Sequence, residues 1–116
     1  MEIINLTPHE VVILAGDKKT VLSTVSPSGQ IARCSVTSQV AGEIAGIPVY
    51  RNKLGAVVGL PEPAAAMLYL VSTLVREAAS HRDDVLSPGE LVRGANGQPI
   101  GCVGLVANQS RRWWSL

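Results

Sequence analysis

Short β-branched runs, broken by turn residues about every eight to twelve positions, fill the first two thirds of this chain, and that is the pattern of antiparallel strands. Residues 10–15 (Glu-Val-Val-Ile-Leu-Ala) and 20–25 flank Gly16-Asp17-Lys18-Lys19, a glycine-containing loop suited to a hairpin tip. After the turn signal Ser26-Pro27-Ser28-Gly29, residues 30–38 alternate apolar and polar side chains. Residues 47–51 and 56–58 predict two more short strands, which would extend a single meandering sheet. Thr7-Pro8-His9 breaks the first strand, because proline withdraws a ladder donor and restrains the residue before it.

The pattern changes after Pro61-Glu62-Pro63. Residues 67–71 (Met-Leu-Tyr-Leu-Val) form an apolar run that suits a buried strand, and either Ser72 or Thr73 can cap a following helix. Val71, Leu74, Val75, Ala78 and Ala79 then fall on one helical face, which predicts a helix over 73–81. Residues 91–93 and 99–106 flank Gly94-Ala95-Asn96-Gly97, whose Asn-Gly pair predicts a C-terminal hairpin. The expected fold class is therefore α+β, one domain over 1–116, with an antiparallel sheet of short hairpins and one main helix. Residues 110–116 join two arginines to two tryptophans and read either as an interface plug or as a frayed end.

A hydrophobic fraction of 47% is ordinary, whereas 16% charged is below the usual quarter and leaves fewer charges to cover the outside. That deficit favours a homo-oligomer, since self-association is the commonest way to cover apolar surface. A net charge of +1 argues against bulk attraction to DNA, RNA or a membrane surface. Cys34 and Cys102 stand far apart without a CxxC or Cys/His cluster, so neither a disulfide framework nor a zinc site is signalled. Met1-Glu2-Ile3-Ile4-Asn5 has no basic n-region, and no apolar run reaches the roughly 18 residues of a membrane span; the expected location is the cytoplasm.

Chemistry-bearing residues are sparse. His9 and His81 are the only histidines, and neither adjoins a nucleophile motif, which disfavours hydrolase chemistry. Asp83 and Asp84 read as a solvated pair or, less simply, as a metal or acid-base pair. No phosphate-binding glycine loop is present. The strand-to-helix junction at Val71-Ser72-Thr73-Leu74 offers amides and hydroxyls either for capping or for an anion. Arg33, Arg51, Arg76, Arg82 and Arg93 lie near turns or element ends, where a guanidinium serves either the surface or a phosphate. The Thr7-Pro8-His9 turn is either a rigid connector or a ligand-lining wall. No catalytic set, metal site or cofactor is expected.

Asn5-Leu6-Thr7-Pro8-His9, Pro27-Ser28-Gly29 with Ala32-Arg33, Gly46-Ile47-Pro48-Val49, Gly59-Leu60-Pro61, Tyr69-Leu70-Val71-Ser72, Arg82-Asp83-Asp84 and Gly101-Cys102 span most of the chain. In that order they resemble a set of small phage and prophage proteins, the first-described family of phage anti-Thoeris sponges. The resemblance implies a non-enzymatic protein that sequesters a cyclic ADP-ribose-type immune signal, with cyclic oligonucleotides as a second ligand class. It also implies dimers, assembled further into hexamers, in an infected bacterial cell. Such a ligand needs donors for two phosphates, partners for ribose hydroxyls and a flat surface for adenine. Arg33, Arg82 and Arg93, with Ser72 and Thr73, are the candidates for phosphate, Asp84 for ribose, and Thr7 with His9 for the pocket wall. The lack of phenylalanine leaves adenine stacking to Tyr50, Tyr69, a tail tryptophan or an arginine plane. The alternatives are a small phage structural or regulatory module that binds protein and a nucleotide-processing enzyme whose acids are Asp83 and Asp84.

Overall fold

The computed structural model of the chain describes residues 2–109, so the Arg111-Arg112-Trp113-Trp114 tail lies outside the described residues. Eight strands and one helix follow in the order β1 (Glu2–Asn5), β2 (Val11–Leu14), β3 (Val21–Val25), β4 (Arg33–Ile44), β5 (Ile47–Val58), β6 (Met67–Leu70), α1 (Thr73–Ala78), β7 (Val85–Arg93) and β8 (Pro99–Ala107). Six of the strands make one sheet in the order β1-β6-β7-β8-β2-β3, and β4 with β5 make a separate two-stranded sheet. The architecture is a sheet-rich α+β fold with one short helix.

The expected antiparallel meander is corrected on two counts. The main sheet is mixed: β1 and β6, β6 and β7, and β2 and β8 pair in parallel, while β7 with β8 and β2 with β3 are antiparallel hairpins. Parallel neighbours come from distant parts of the chain, so no turn signal announces them. Residues 30–58 do not extend that sheet. They form one long hairpin of two twelve-residue strands, turned at Ala45-Gly46, where both residues take positive φ. The helix is also shorter than expected. It ends at Ala78, and the Ala79 N–H bonds back to the Val75 carbonyl as the cap. The C-terminal hairpin lies at the expected turn, but β7 begins six residues earlier than the sequence suggested, because Val85, Leu86 and Ser87 are drawn under cover beside β6.

β6 is buried along Leu68, Tyr69 and Leu70, which matches its continuous apolar run: a parallel strand flanked on both sides and covered on both faces has no polar side to show. Tyr69 and Val71 join Leu6, Ala32, Val75 and Val85 in one cluster beneath the helix. Cys34, Val57 and Leu60 pack against that cluster, so the base of the long hairpin is anchored in the core although its far part is exposed. Both cysteines are free thiols, Cys102 buried and Cys34 half-buried. Among the described residues, no helix is long and apolar enough to cross a membrane.

The sheet curls until its two edge strands meet at one end. Asn5 of β1 forms a parallel bridge with Pro27, just beyond β3, and the Ser28 N–H donates to the Asn5 carbonyl at 3.0 Å. Asn5 is 1% exposed, and its side-chain amide donates to the carbonyls of Val25 (3.0 Å) and His9 (2.9 Å). Its carboxamide oxygen accepts the Thr7 N–H at 2.9 Å and the Thr7 hydroxyl at 2.6 Å. Every hydrogen-bonding valence of that amide is thereby used inside the fold.

At the opposite hairpin tip, Asp17 organises the loop between β2 and β3. Its carboxylate accepts the Thr20 hydroxyl and the amides of Thr20 and Lys19, and these bonds, the Thr20 hydroxyl foremost, lower its pKa from 3.8 to about 2. A depressed folded-state pKa contributes stability that is present above 3.8 and lost as pH falls through about 2. Carboxyl-detected NMR titration is expected to show Asp17 titrating at about 2, and Thr20→Val is expected to move it up toward 3.8. A wild-type midpoint near 3.8 would contradict this geometry.

Candidate functional site

Above the carboxyl ends of β1 and β6 lies a cleft of about 630 Å³. Crevices beyond the carboxyl ends of parallel strands are common ligand sites, and the volume lies in the range of small-molecule pockets. The chain leaves β1 into the Leu6–His9 turn and leaves β6 into Ser72 and Thr73, so two segments more than sixty residues apart in sequence meet at one rim. The floor comes from the upper parts of β2, β7 and β8, with Val12, Pro88, Leu91, Pro99 and Ile100 presenting apolar surface. Gly89 and Gly101 line the same floor. A Cβ on Gly89 would meet the Val103 carbonyl oxygen at 1.9 Å, so the close approach of β7 to β8 there requires glycine.

The polar groups converge at the rim: Thr7, His9, Glu10, Ser72 and Thr73. Thr7 is held by Asn5, and its hydroxyl also lies 3.0 Å from the His9 carbonyl oxygen, which makes the Thr7-Pro8-His9 turn rigid as well as cleft-lining. Ser72 is the helix N-cap, its hydroxyl accepting the Val75 N–H at 3.3 Å. The capping alternative is therefore realised, and the six-residue helix behind it carries little dipole. Among the described residues, no lysine or arginine lines the cleft.

The other residues singled out from sequence stand elsewhere. Arg82 and Asp84 face each other as a bidentate pair, Nε to Oδ1 and Nη2 to Oδ2, both at 2.8 Å, and Nη2 also donates to the Pro61 carbonyl at 2.9 Å. The paired Asp84 carboxylate raises the Arg82 pKa above its ordinary value. With the valences of both side chains turned on one another, the pair fastens the segment after the helix to the segment before β6. Arg82 borders a smaller depression of about 310 Å³ that also includes Glu62, His81 and the Gly55–Val57 stretch of β5. Arg33 is exposed at the base of the long hairpin, and Arg93 donates to the Gly97 carbonyl at 2.9 Å in the C-terminal hairpin turn. Asp83 is exposed beside the buried Asp84, so the two do not act as one carboxylate pair facing a common centre.

Three structural residues escaped sequence reasoning. Arg76, which reads in the sequence as a guanidinium serving either the surface or a phosphate, donates through Nε to the buried Ser87 hydroxyl (2.7 Å) and through Nη1 to Asn108 (3.2 Å). Asn108 in turn donates to the carbonyls of Ala79 and Arg82, both at 3.0 Å, and closes the helix end from beyond β8. No local signal marks such a cap, because its donor lies 29 residues away from Ala79. The role of Asn5 was missed as well, although an asparagine two residues before a threonine amide has the spacing of an Asx-turn, and that signal could have marked it. Among the described residues, no group of three or more histidine, cysteine, aspartate or glutamate side chains is placed to hold a metal.

Fold and cleft together describe a small, curled mixed-sheet protein with an apolar pocket rimmed by hydroxyls, one imidazole and one carboxylate. No protein-family model, no curated protein and no solved structure matches this chain.

Proposed function

We propose that the chain is a non-enzymatic binding protein that holds a small organic ligand in the Thr7–Thr73 cleft, and that its ligand class is a cyclic ADP-ribose-type signal. The observation that carries this reading is the convergence of Thr7, His9, Ser72 and Thr73 on one apolar pocket of about 630 Å³. An apolar floor with a few fixed polar groups is the composition of a small-molecule site. The floor suits a flat base, and the rim hydroxyls and the His9 ring suit phosphate and ribose oxygens. Binding without turnover is the reading supported by the Thr7 hydroxyl, whose bonded partners are an amide oxygen and a peptide carbonyl rather than a base. Among the described residues, the cleft offers a ligand hydrogen bonds from its hydroxyls and the His9 ring, and apolar area from its floor.

The test is calorimetric titration with cyclic ADP-ribose isomers and a cyclic trinucleotide, followed by mass analysis of ligand released on heating. Tight binding with chemically intact release is expected, and Thr73→Val is expected to weaken it about tenfold with the fold unchanged. Product in excess of protein would make the chain an enzyme. Failure to bind any nucleotide would sink the ligand class.

A second reading, a structural or regulatory module that binds protein, is favoured by a different observation. Among the described residues, half of the exposed large hydrophobic side chains, six of twelve, belong to β4 and β5.

A further inference from the structure

Several carboxylates of the chain are already answered by the fold. Asp17 is spent on its own loop, Asp84 on Arg82 and Glu90 on Lys18. Glu10 is different: it lines the cleft, and among the described residues its carboxylate has no hydrogen-bond or ion-pair partner. It stands one residue before β2, between the Thr7-Pro8-His9 wall and Val12 of the floor. The remaining rim groups are mostly donors to a ligand. The Ser72 hydroxyl accepts the Val75 N–H and so keeps its own proton free, and the Thr73 hydroxyl has no side-chain partner among the described residues. The Thr7 proton is directed to Asn5 or to the His9 carbonyl.

An ionised carboxylate only accepts hydrogen bonds, through two oxygens side by side, and it repels a phosphate. The neutral donor that matches two such oxygens is a pair of vicinal hydroxyls, and an acidic side chain on a ribose hydroxyl recurs in nucleotide sites. We propose that Glu10 is the ribose receptor of the cleft. Its carboxylate accepts the 2- and 3-hydroxyls of one ribose whose base lies on the apolar floor, and the phosphates fall to Ser72 and Thr73 on the β6 side of the rim. This inference rests on the ligand-binding reading above and narrows it. A free vicinal diol becomes a requirement of the cleft, which selects cyclic ADP-ribose-type ligands over 3′,5′-linked cyclic oligonucleotides, whose riboses keep only the 2-hydroxyl free. The ribose contact, expected from sequence at Asp84, passes to Glu10.

The test is calorimetric titration of the full chain with the cyclic ADP-ribose isomer it binds most tightly and with analogues that each lack one free ribose hydroxyl. Removal of either member of one vicinal pair is expected to weaken binding to wild type about tenfold. Glu10→Gln keeps the side chain's size and one acceptor oxygen. It is expected to bind the parent ligand about tenfold more weakly and no longer to distinguish it from those two analogues. A 3′,5′-linked cyclic trinucleotide is expected to bind wild type at least ~tenfold more weakly than the parent and not to be weakened by Glu10→Gln. Parent affinity equal in wild type and variant overturns the ribose contact and leaves the cleft reading standing, as does a variant that still discriminates against the two analogues. Wild type that binds no nucleotide overturns both. Glu10 is exposed, so the variant is expected to melt with wild type; should it fail to fold, the comparison of parent and analogues on wild type decides alone.

Discussion

Asn5→Ala is expected to destabilise the protein by about 3 kcal/mol and to lower its melting temperature by roughly 10–15 °C. The side-chain amide makes four hydrogen bonds at 1% exposure, and its removal leaves the Val25 and His9 carbonyls, the Thr7 N–H and the Thr7 hydroxyl without their partner. Each such bond contributes about 1 kcal/mol, and water recovers part of the loss at the more exposed Thr7 end. The consequence is larger than the energy alone, because this amide ties β1 to β3 and sets the turn that walls the cleft. Ligand binding is expected to fall more than tenfold in Asn5→Ala. Thr7→Val, which loses the hydroxyl contacts and keeps the Asn5 bridges, is expected to cost about 1 kcal/mol. Thermal denaturation of the two variants beside wild type checks the ordering; equal melting temperatures for all three would show that the bridge does not hold the sheet's mouth closed.

Arg82→Ala is expected to cost about 3 kcal/mol, since breaking a largely buried ion pair strands its partner. The side chains of Arg82 and Asp84 are only 14% and 11% exposed, so the remaining carboxylate would be desolvated without compensation, and the Pro61 carbonyl would lose its donor. Arg82→Met with Asp84→Leu removes both charges together and is expected to lie within about 1 kcal/mol of wild type. Chemical denaturation of the single and double variants supplies the cycle. The same double variant discriminates two locations for the ligand. Unchanged affinity places binding at the Thr7–Thr73 cleft, while loss of binding in a stable double variant would move the phosphate and ribose contacts back to Arg82 and Asp84.

The candidate site was partly legible in the chain. Thr7, His9, Ser72 and Thr73 were marked by local chemistry: a proline-restrained turn and a strand running into a helix cap. Both are properties of three or four consecutive residues, which is the range over which backbone restraint acts. That the two features share one cleft was not legible, because the pairing of β1 with β6 that brings them together is a parallel contact between residues 2–5 and 67–70. Arg82, Asp84 and Arg93 were marked by residue type and position, and neither distinguishes a guanidinium awaiting a ligand from one already answered by a carboxylate two residues away or a carbonyl four away.

Sequence by itself determined the elements whose cause is local. The hairpin turns at Asp17-Lys18 and Asn96-Gly97, a helix cap at Ser72 or Thr73 and the buried run Leu68–Leu70 of β6 each follow from side chains and dihedral preferences within a few residues, while the choice of Ser72 as the cap was the structure's. Tertiary structure alone decided which strands are neighbours, how far they run, and where the apolar excess goes. β4 and β5 continue to twelve residues because each is the other's hydrogen-bonding partner, beyond the stretches whose periodicity marked them as strands. β7 gains its first residues from burial against β6. Local patterns are enforced by sterics that act between adjacent residues, whereas register and sheet order are chosen by the summed burial of side chains distant in sequence, and that sum exists only once the chain has folded.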